Sequence, residues 1–227
     1  MRRTSGGRLA AAIIVGLAAL PLSGCLYAQI PAYDPSAESP SPAPSQTAPA
    51  TDQPDDGSTS AIPATMTFAD GADLPASAYI QWADGLMFDD GWTSVTPDDG
   101  NGRWTDGTVD GTCTAEFWQG YTGDVATTPG DDSVSSDAMI AQILGDATAA
   151  EITPLATTVQ LSYQVGGDLS VDARQVAGAG DGREWTITAR AFTATGVGVY
   201  VIVDCTGGDI AATFADVVDE NPIMITG

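Results

Sequence analysis

The 227 residues carry thirty Asp and Glu against seven arginines, with no lysine and no histidine, for a formal net charge of −23. A chain this acidic cannot neutralise phosphates, so nucleic acid and anionic lipid headgroups are poor partners and no nucleic-acid binding is expected. Without histidine there is no Ser-His-Asp or Cys-His machinery, and without lysine no Walker phosphate loop, Schiff base or Ser-x-x-Lys nucleophile; no cofactor is expected and most surface hydrolases are ruled out.

Arg2, Arg3 and Arg8 precede an apolar stretch from Leu9 to Leu22, which closes on Leu22-Ser23-Gly24-Cys25. This is the three-part pattern of a secretory signal, too short to span a bilayer, which needs about 20 apolar residues. The segment resembles the signal peptides of bacterial lipoproteins. The resemblance implies cleavage between Gly24 and Cys25, a diacylglyceryl thioether on Cys25, and a mature chain anchored in the outer face of the cytoplasmic membrane. A second acyl chain makes such anchoring stable. Without residues 1–24 only Arg103, Arg174, Arg183 and Arg190 remain as cations, and the charge moves to about −26.

Within residues 25–63, the stretch from about Asp34 onward holds Pro35, Pro40, Pro42, Pro44, Pro49, Pro54 and Pro63 among Ser, Ala, Thr and Asp. Such a composition cannot bury enough apolar surface to offset its ordering entropy, so a tether is expected, with its Ser and Thr open to O-glycosylation. Residues 64–227 then have the size of one globular domain.

Within that domain, Tyr79–Trp82 and Gly91–Thr96 read as short strands. Asp98-Asp99-Gly100-Asn101-Gly102, Asp106-Gly107 and Asp110-Gly111 form an acidic loop. Calcium takes oxygens from such loops, with Asp98, Asp99 and Asn101 as the candidate ligands. Arg103 and Trp104 break the EF-hand spacing, however, and Asp-Gly pairs are ordinary turn chemistry, so the loop reading is preferred and no metal is expected. From Thr112 to Trp118, Cys113, Ala115 and Phe117 alternate with Thr114, Glu116 and Trp118 as in a strand.

Ser135-Ser136-Asp137 offer capping oxygens to a helix carrying Met139, Ile140, Ile143 and Leu144, and Gly145 stands where a left-handed stop belongs. Val159, Leu161, Tyr163 and Val165 alternate with polar residues in a strand that turns at Gly166-Gly167. A strand over about Leu169 to Val176, a third over Glu184 to Thr193, and a fourth from Val197 complete a meander through glycine turns. On the fourth, Val197, Val199, Val201, Val203 and Cys205 share one face and Tyr200 and Ile202 the other, which predicts a central strand covered on both sides. Asp209 caps a last helix striped by Ile210, Phe214, Val217 and Val218, ending before Asn221-Pro222.

With Cys25 taken by lipid, Cys113 and Cys205 are an even pair in an oxidising compartment. A disulfide is the natural inference, and two buried free thiols are the alternative. The bond would close a loop of roughly 93 residues. The expected fold is α+β: an antiparallel sheet of about five to seven strands, with a C-terminal four-strand meander, packed against two or more helices. The Pro/Ser tether, the Val-rich strand ending in Val203-Asp204-Cys205 and the closing helix from Asp209 resemble actinobacterial surface lipoproteins with a PsbP-like α/β sandwich. More distantly they resemble the extracellular sensor domains of mycobacterial serine/threonine kinases, from which this chain departs in lacking lysine and in holding a single cysteine pair. The resemblance brings no catalytic motif and implies a binding or accessory protein.

The function expected is that of a monomeric, non-catalytic, lipid-anchored surface module, with a cell-wall glycan, a cation or a membrane protein as candidate partners. Trp92, Trp104, Glu116 and Trp118 mark the candidate binding face, since tryptophans make stacking platforms; tryptophan in the core is the competing reading. Two alternatives remain. One is a carboxylate-dependent glycan hydrolase using Glu116, and the other a solvating surface protein without a specific ligand.

Overall fold

The computed structural model describes residues 65–164 and 169–227. The leader, Cys25, the Pro-rich segment, Val165 and the Gly166-Gly167 turn lie outside the described residues. In chain order come β1 (Thr65–Met66), α1 (Phe68–Ala72), β2 (Tyr79–Trp82), a 3-10 turn (Leu86–Phe88), β3 (Trp92–Thr96), β4 (Arg103–Thr108) and β5 (Cys113–Tyr121). Then follow α2 (Asp132–Leu144), α3 (Ala149–Ile152), β6 (Thr157–Ser162), β7 (Ser170–Gly180), β8 (Arg183–Phe192), β9 (Val197–Thr206), α4 (Ile210–Glu220) and β10 (Ile223–Thr226).

Eight strands make one sheet in the order β1-β7-β8-β9-β5-β4-β3, with β6 also paired to β7, while β2 and β10 form a separate two-stranded sheet. Every pairing is antiparallel except that of β1 with β7. This is the α+β class that the pattern predicts, with the meander running from β6 to β9. The turn between β7 and β8 is tighter than the glycine spacing implies: both strands extend to Asp181-Gly182, whose φ angles of 55° and 77° suit a two-residue hairpin of the primed type.

Strand β9 lies between β8 and β5, and its alternation divides the interior into two cores. Val199, Val201, Val203 and Cys205 join Phe117, Ala115, Val217, Ile223 and Ile225 on the side covered by α4 and the β2–β10 pair. Tyr200 and Ile202 face the other way, with Met139, Ile140 and Ile152 of α2 and α3 and with Ile187 and Ala189 of β8. The result is a sheet covered on one face by α4 and the β2–β10 pair and on the other, over β7 and β8, by α2 and α3.

Cys113 and Cys205 are direct cross-strand partners in the β5–β9 register, with Cα atoms 4.1 Å apart, and they form the disulfide. Both are buried, at 3% and 1% exposure. Thr213 of α4 donates its hydroxyl to Cys113 Sγ at 3.3 Å, so the terminal helix covers the bond.

Helix α2 begins a turn earlier than Ser135-Ser136-Asp137 would place it. Asp131 is its cap, accepting the Val134 N–H at 2.9 Å. The three residues expected as caps lie inside the helix, fully buried, and two of them tie it to the sheet: Ser136 Oγ accepts the Ala191 N–H at 2.9 Å, and Asp137 accepts Arg174 Nε at 2.7 Å, while Ser135 Oγ accepts the Thr128 N–H at 2.9 Å. Gly145 ends the helix at φ 83°, as its position predicts. Helix α4 is capped by Asp209, whose carboxylate accepts the N–H groups of Ala211 and Ala212.

A buried ion pair occupies a fork in the sheet. The β7–β8 ladder stops at Arg174–Ala189, and beyond it β7 takes β1 as neighbour instead. Arg190 fills the opening: its guanidinium donates to the carbonyls of Asp172 and Thr67 at 2.9 and 3.0 Å, and to Asp132 Oδ2 at 3.0 Å. The rings of Phe68 and Phe192 flank it at 4.5 and 4.8 Å. Asp132 Oδ1 in turn accepts the Thr193 N–H and hydroxyl. Gly71 is required here, because a Cβ would collide with both partners.

Candidate functional site

Helix α2 lies on β8 and β7 and leaves the outer face of β5 and β4 without a helical cover. Pleat parity decides what stands on that face. With Cys113, Ala115 and Phe117 turned into the α4-side core, Glu116 and Trp118 must point the opposite way. The register then sets Tyr200 of β9 and Arg103 of β4 on either side of Trp118.

These four side chains meet. The Trp118 and Tyr200 rings stack at 5.4 Å with planes 16° apart. The Tyr200 hydroxyl donates to Glu116 Oε1 at 3.2 Å, and Arg103 Nε pairs with the same oxygen at 3.5 Å. Burial pushes the Tyr200 phenol up to about 12; Arg103 opposes the shift and the Glu116 charge adds to it, so the hydroxyl remains a neutral donor near neutral pH. Met139 and Ile143 of α2 form a wall, with Gln142 and Asp124 at the rim, around a cleft of about 440 Å³. An aromatic floor with donors and acceptors at its edge can take a flat apolar surface and fix its orientation by hydrogen bonds.

Of the four residues expected on the binding face, the structure brings together Glu116 and Trp118. Trp104 is the partner of Phe117 in the β4–β5 register and stacks on it at 5.1 Å, on the opposite side of the sheet. Trp92 is buried at 7% exposure, its indole N–H donating to Asp216 of α4 at 2.7 Å. Tyr200 and Arg103 belong to the cleft and were not singled out from the sequence as site residues. The parity of β9 already placed Tyr200 away from the valines, but Arg103 sits in a segment whose Asp-Gly pairs read as loop.

The calcium candidates are occupied by their own turn. Asp98 Oδ1 accepts the N–H groups of Gly100 and Gly102, and Asp99 Oδ1 accepts that of Asn101. Among the described residues no three Asp, Glu or Cys groups converge as metal ligands would.

The fold and cleft define an α+β sandwich with an aromatic surface site. No family model matches the chain, and no curated protein matches it. A solved structure from Bacteroides thetaiotaomicron VPI-5482 is similar over 58% of this chain and 41% of that one, at 11% identity and a TM-score of 0.34.

Proposed function

We propose that this chain is a lipid-anchored, non-catalytic surface module and that the Trp118–Tyr200 cleft binds a neutral cell-wall glycan. One observation carries the reading: the partly exposed Trp118 indole, backed by the buried Tyr200 ring stacked on it, forms the floor of an open cleft whose edge holds Arg103, Glu116 and Gln142. A sugar ring presents an apolar face to such a floor and hydroxyls to such an edge. Glu116 Oε1 is already engaged by both Arg103 and Tyr200, which suits an acceptor of fixed position better than a group free to exchange a proton. The anchor rests on Leu22-Ser23-Gly24-Cys25. No helix among the described residues is long and apolar enough to cross a membrane.

The test is calorimetric titration of the chain with peptidoglycan and arabinogalactan oligosaccharides, with mass spectrometry of the amino terminus alongside. A glycan should bind, Trp118→Ala should weaken it about tenfold, and Cys25 should carry the diacylglyceryl mass. Turnover of any of these glycans, abolished by Glu116→Gln, would make the chain a hydrolase instead; Asp124, in the same cleft, would then be the second carboxylate. No binding to any glycan would favour the solvating surface protein.

A further inference from the structure

The last residues of β5 have a strand on one flank only. The ladder with β4 stops at Arg103–Trp118, whereas the ladder with β9 continues to Tyr121–Val197. The Gln119 N–H still reaches the Gly102 carbonyl, at 2.9 Å, and beyond it the Asp98–Gly102 turn leads away, leaving Gly120 and Tyr121 open on that side. Gly120 is required there, because the Trp118 ring lies over it and a Cβ would come within 2.7 Å of the ring. The floor of the Trp118–Tyr200 cleft therefore runs out to the open flank beside Tyr121, which is 84% exposed.

Across that flank, on the β2 side, lies a second cleft of about 520 Å³. Tyr121 lines both clefts, so the two meet at this residue. Tyr79 of β2, 59% exposed, stands in the second cleft with Ser77, Gln119 and Thr195. Gln119 Oε1 accepts the Trp82 N–H at 2.7 Å, which fixes the amide and leaves its NH2 group as a donor. Asp98 is the one charged residue of this lining, and its Oδ1 is taken by the N–H groups of Gly100 and Gly102. A single exposed aromatic needs no explanation, but two in one cleft that continues an aromatic-floored one make a track.

Charge and shape select the occupant. A compact ligand would fill one cleft and leave the other empty, and an ion would find no opposite charge free in the second. A neutral chain whose repeating units carry flat apolar faces and hydroxyl edges matches rings spaced among amide and hydroxyl groups. Resting on the glycan reading of the first cleft, we propose that the ligand is a linear, uncharged oligosaccharide that crosses the open flank of β5. Trp118 holds one stretch of it, and Tyr121 and Tyr79 hold the next. Units tethered to an already bound stretch engage at high effective concentration, so affinity should grow with chain length until both clefts are filled.

Calorimetric titration of the full chain with chito-oligosaccharides and arabinogalactan oligosaccharides of two, four and six units tests this. In the series that binds, affinity should rise about tenfold from two units to six. Tyr79→Ala, in the second cleft alone, should abolish that rise and leave the two-unit affinity as it was, whereas Trp118→Ala should weaken every length. Tyr79 is exposed, and an unchanged urea transition would show that its truncation spares the fold. Equal affinity at all lengths, or a rise that persists in both Tyr79→Ala and Tyr121→Ala, would overturn the extended track and leave the glycan reading of the first cleft standing. Failure of both series to bind at any length would overturn the two together.

Discussion

Arg190 and Asp132 are the residues on which the sheet makes its heaviest demand. Both side chains are at 0% exposure, so neither charge has water to fall back on. Burial pushes Arg190 down to about 10, while Asp132 resists the shift. Removing one partner of such a pair strands the other, at a typical cost of about 3–5 kcal/mol. Asp132→Ala should therefore lower the unfolding free energy measured in urea by that much, and Asp132→Leu combined with Arg190→Met should recover a large part of it. Asp106 carries the opposite kind of strain. Its carboxyl is raised to about 6 from 3.8, so the folded chain holds this proton more tightly than the unfolded one. The penalty is absent below about pH 4, grows as the pH rises from 4 to 6, and is complete above that range, on the order of 3 kcal/mol. Asp106→Asn should accordingly gain about 1–3 kcal/mol over the parent at pH 7.5 and nothing at pH 4, measured by urea unfolding at the two pH values.

Among the elements, β5 and β9 bear most of the organisation, since their pairing joins the β3–β5 half of the sheet to the meander and their disulfide locks the register. Replacing Cys113 and Cys205 together by Ser removes a closure spanning 92 positions, which the chain-entropy account values at about 4–5 kcal/mol. Chemical denaturation should show the loss, and the folded variant should keep the Trp118–Tyr200 cleft, which lies farther along the same two strands. Strand β9 was legible because five consecutive apolar residues, Val199 to Val203, alternate sides, and α4 because one aspartate caps one clean stripe. Strand β4 was not: Asp106-Gly107 is turn chemistry by composition, and only pairing on both flanks, to β3 and β5, makes it a strand. The start of α2 was misplaced for a related reason. Ser135, Ser136 and Asp137 look like caps because they are short and polar, but the oxygens of Ser136 and Asp137 serve the neighbouring sheet and that of Ser135 pairs with Thr128 in the segment before the helix. The cleft was half legible: parity along β5 put Glu116 with Trp118, whereas joining Arg103 and Tyr200 to them needed the registers of two further strands.

At the scale of the molecule the charge is lopsided in a specific way. All four described arginines are neutralised within the fold, so what faces solvent is a field of carboxylates with hardly any counterpart. Self-repulsion of this kind destabilises a compact state and weakens as salt shortens the Debye length from about 30 Å at 0.01 M to about 3 Å at 1 M. The melting temperature should therefore climb by several degrees between about 0.01 and 1 M sodium chloride; a fall would mean that the surface pairs of Arg103 and Arg183 outweigh the repulsion.

The neighbour that β5 takes has a consequence for the order of assembly. Strands β3, β4 and β5 are consecutive in the chain and pair as successive hairpins, but the bonding edge of β5 stays open until β9 joins it, with α2, α3 and three further strands lying between them in sequence. Such a nascent half-sheet offers an unfilled apolar edge to any other chain it meets, and long-range closures of this sort are slow. Oxidative coupling of Cys113 to any thiol other than that of Cys205 during that interval would keep the two halves from closing. Correct maturation therefore depends on the oxidant acting after β9 has docked.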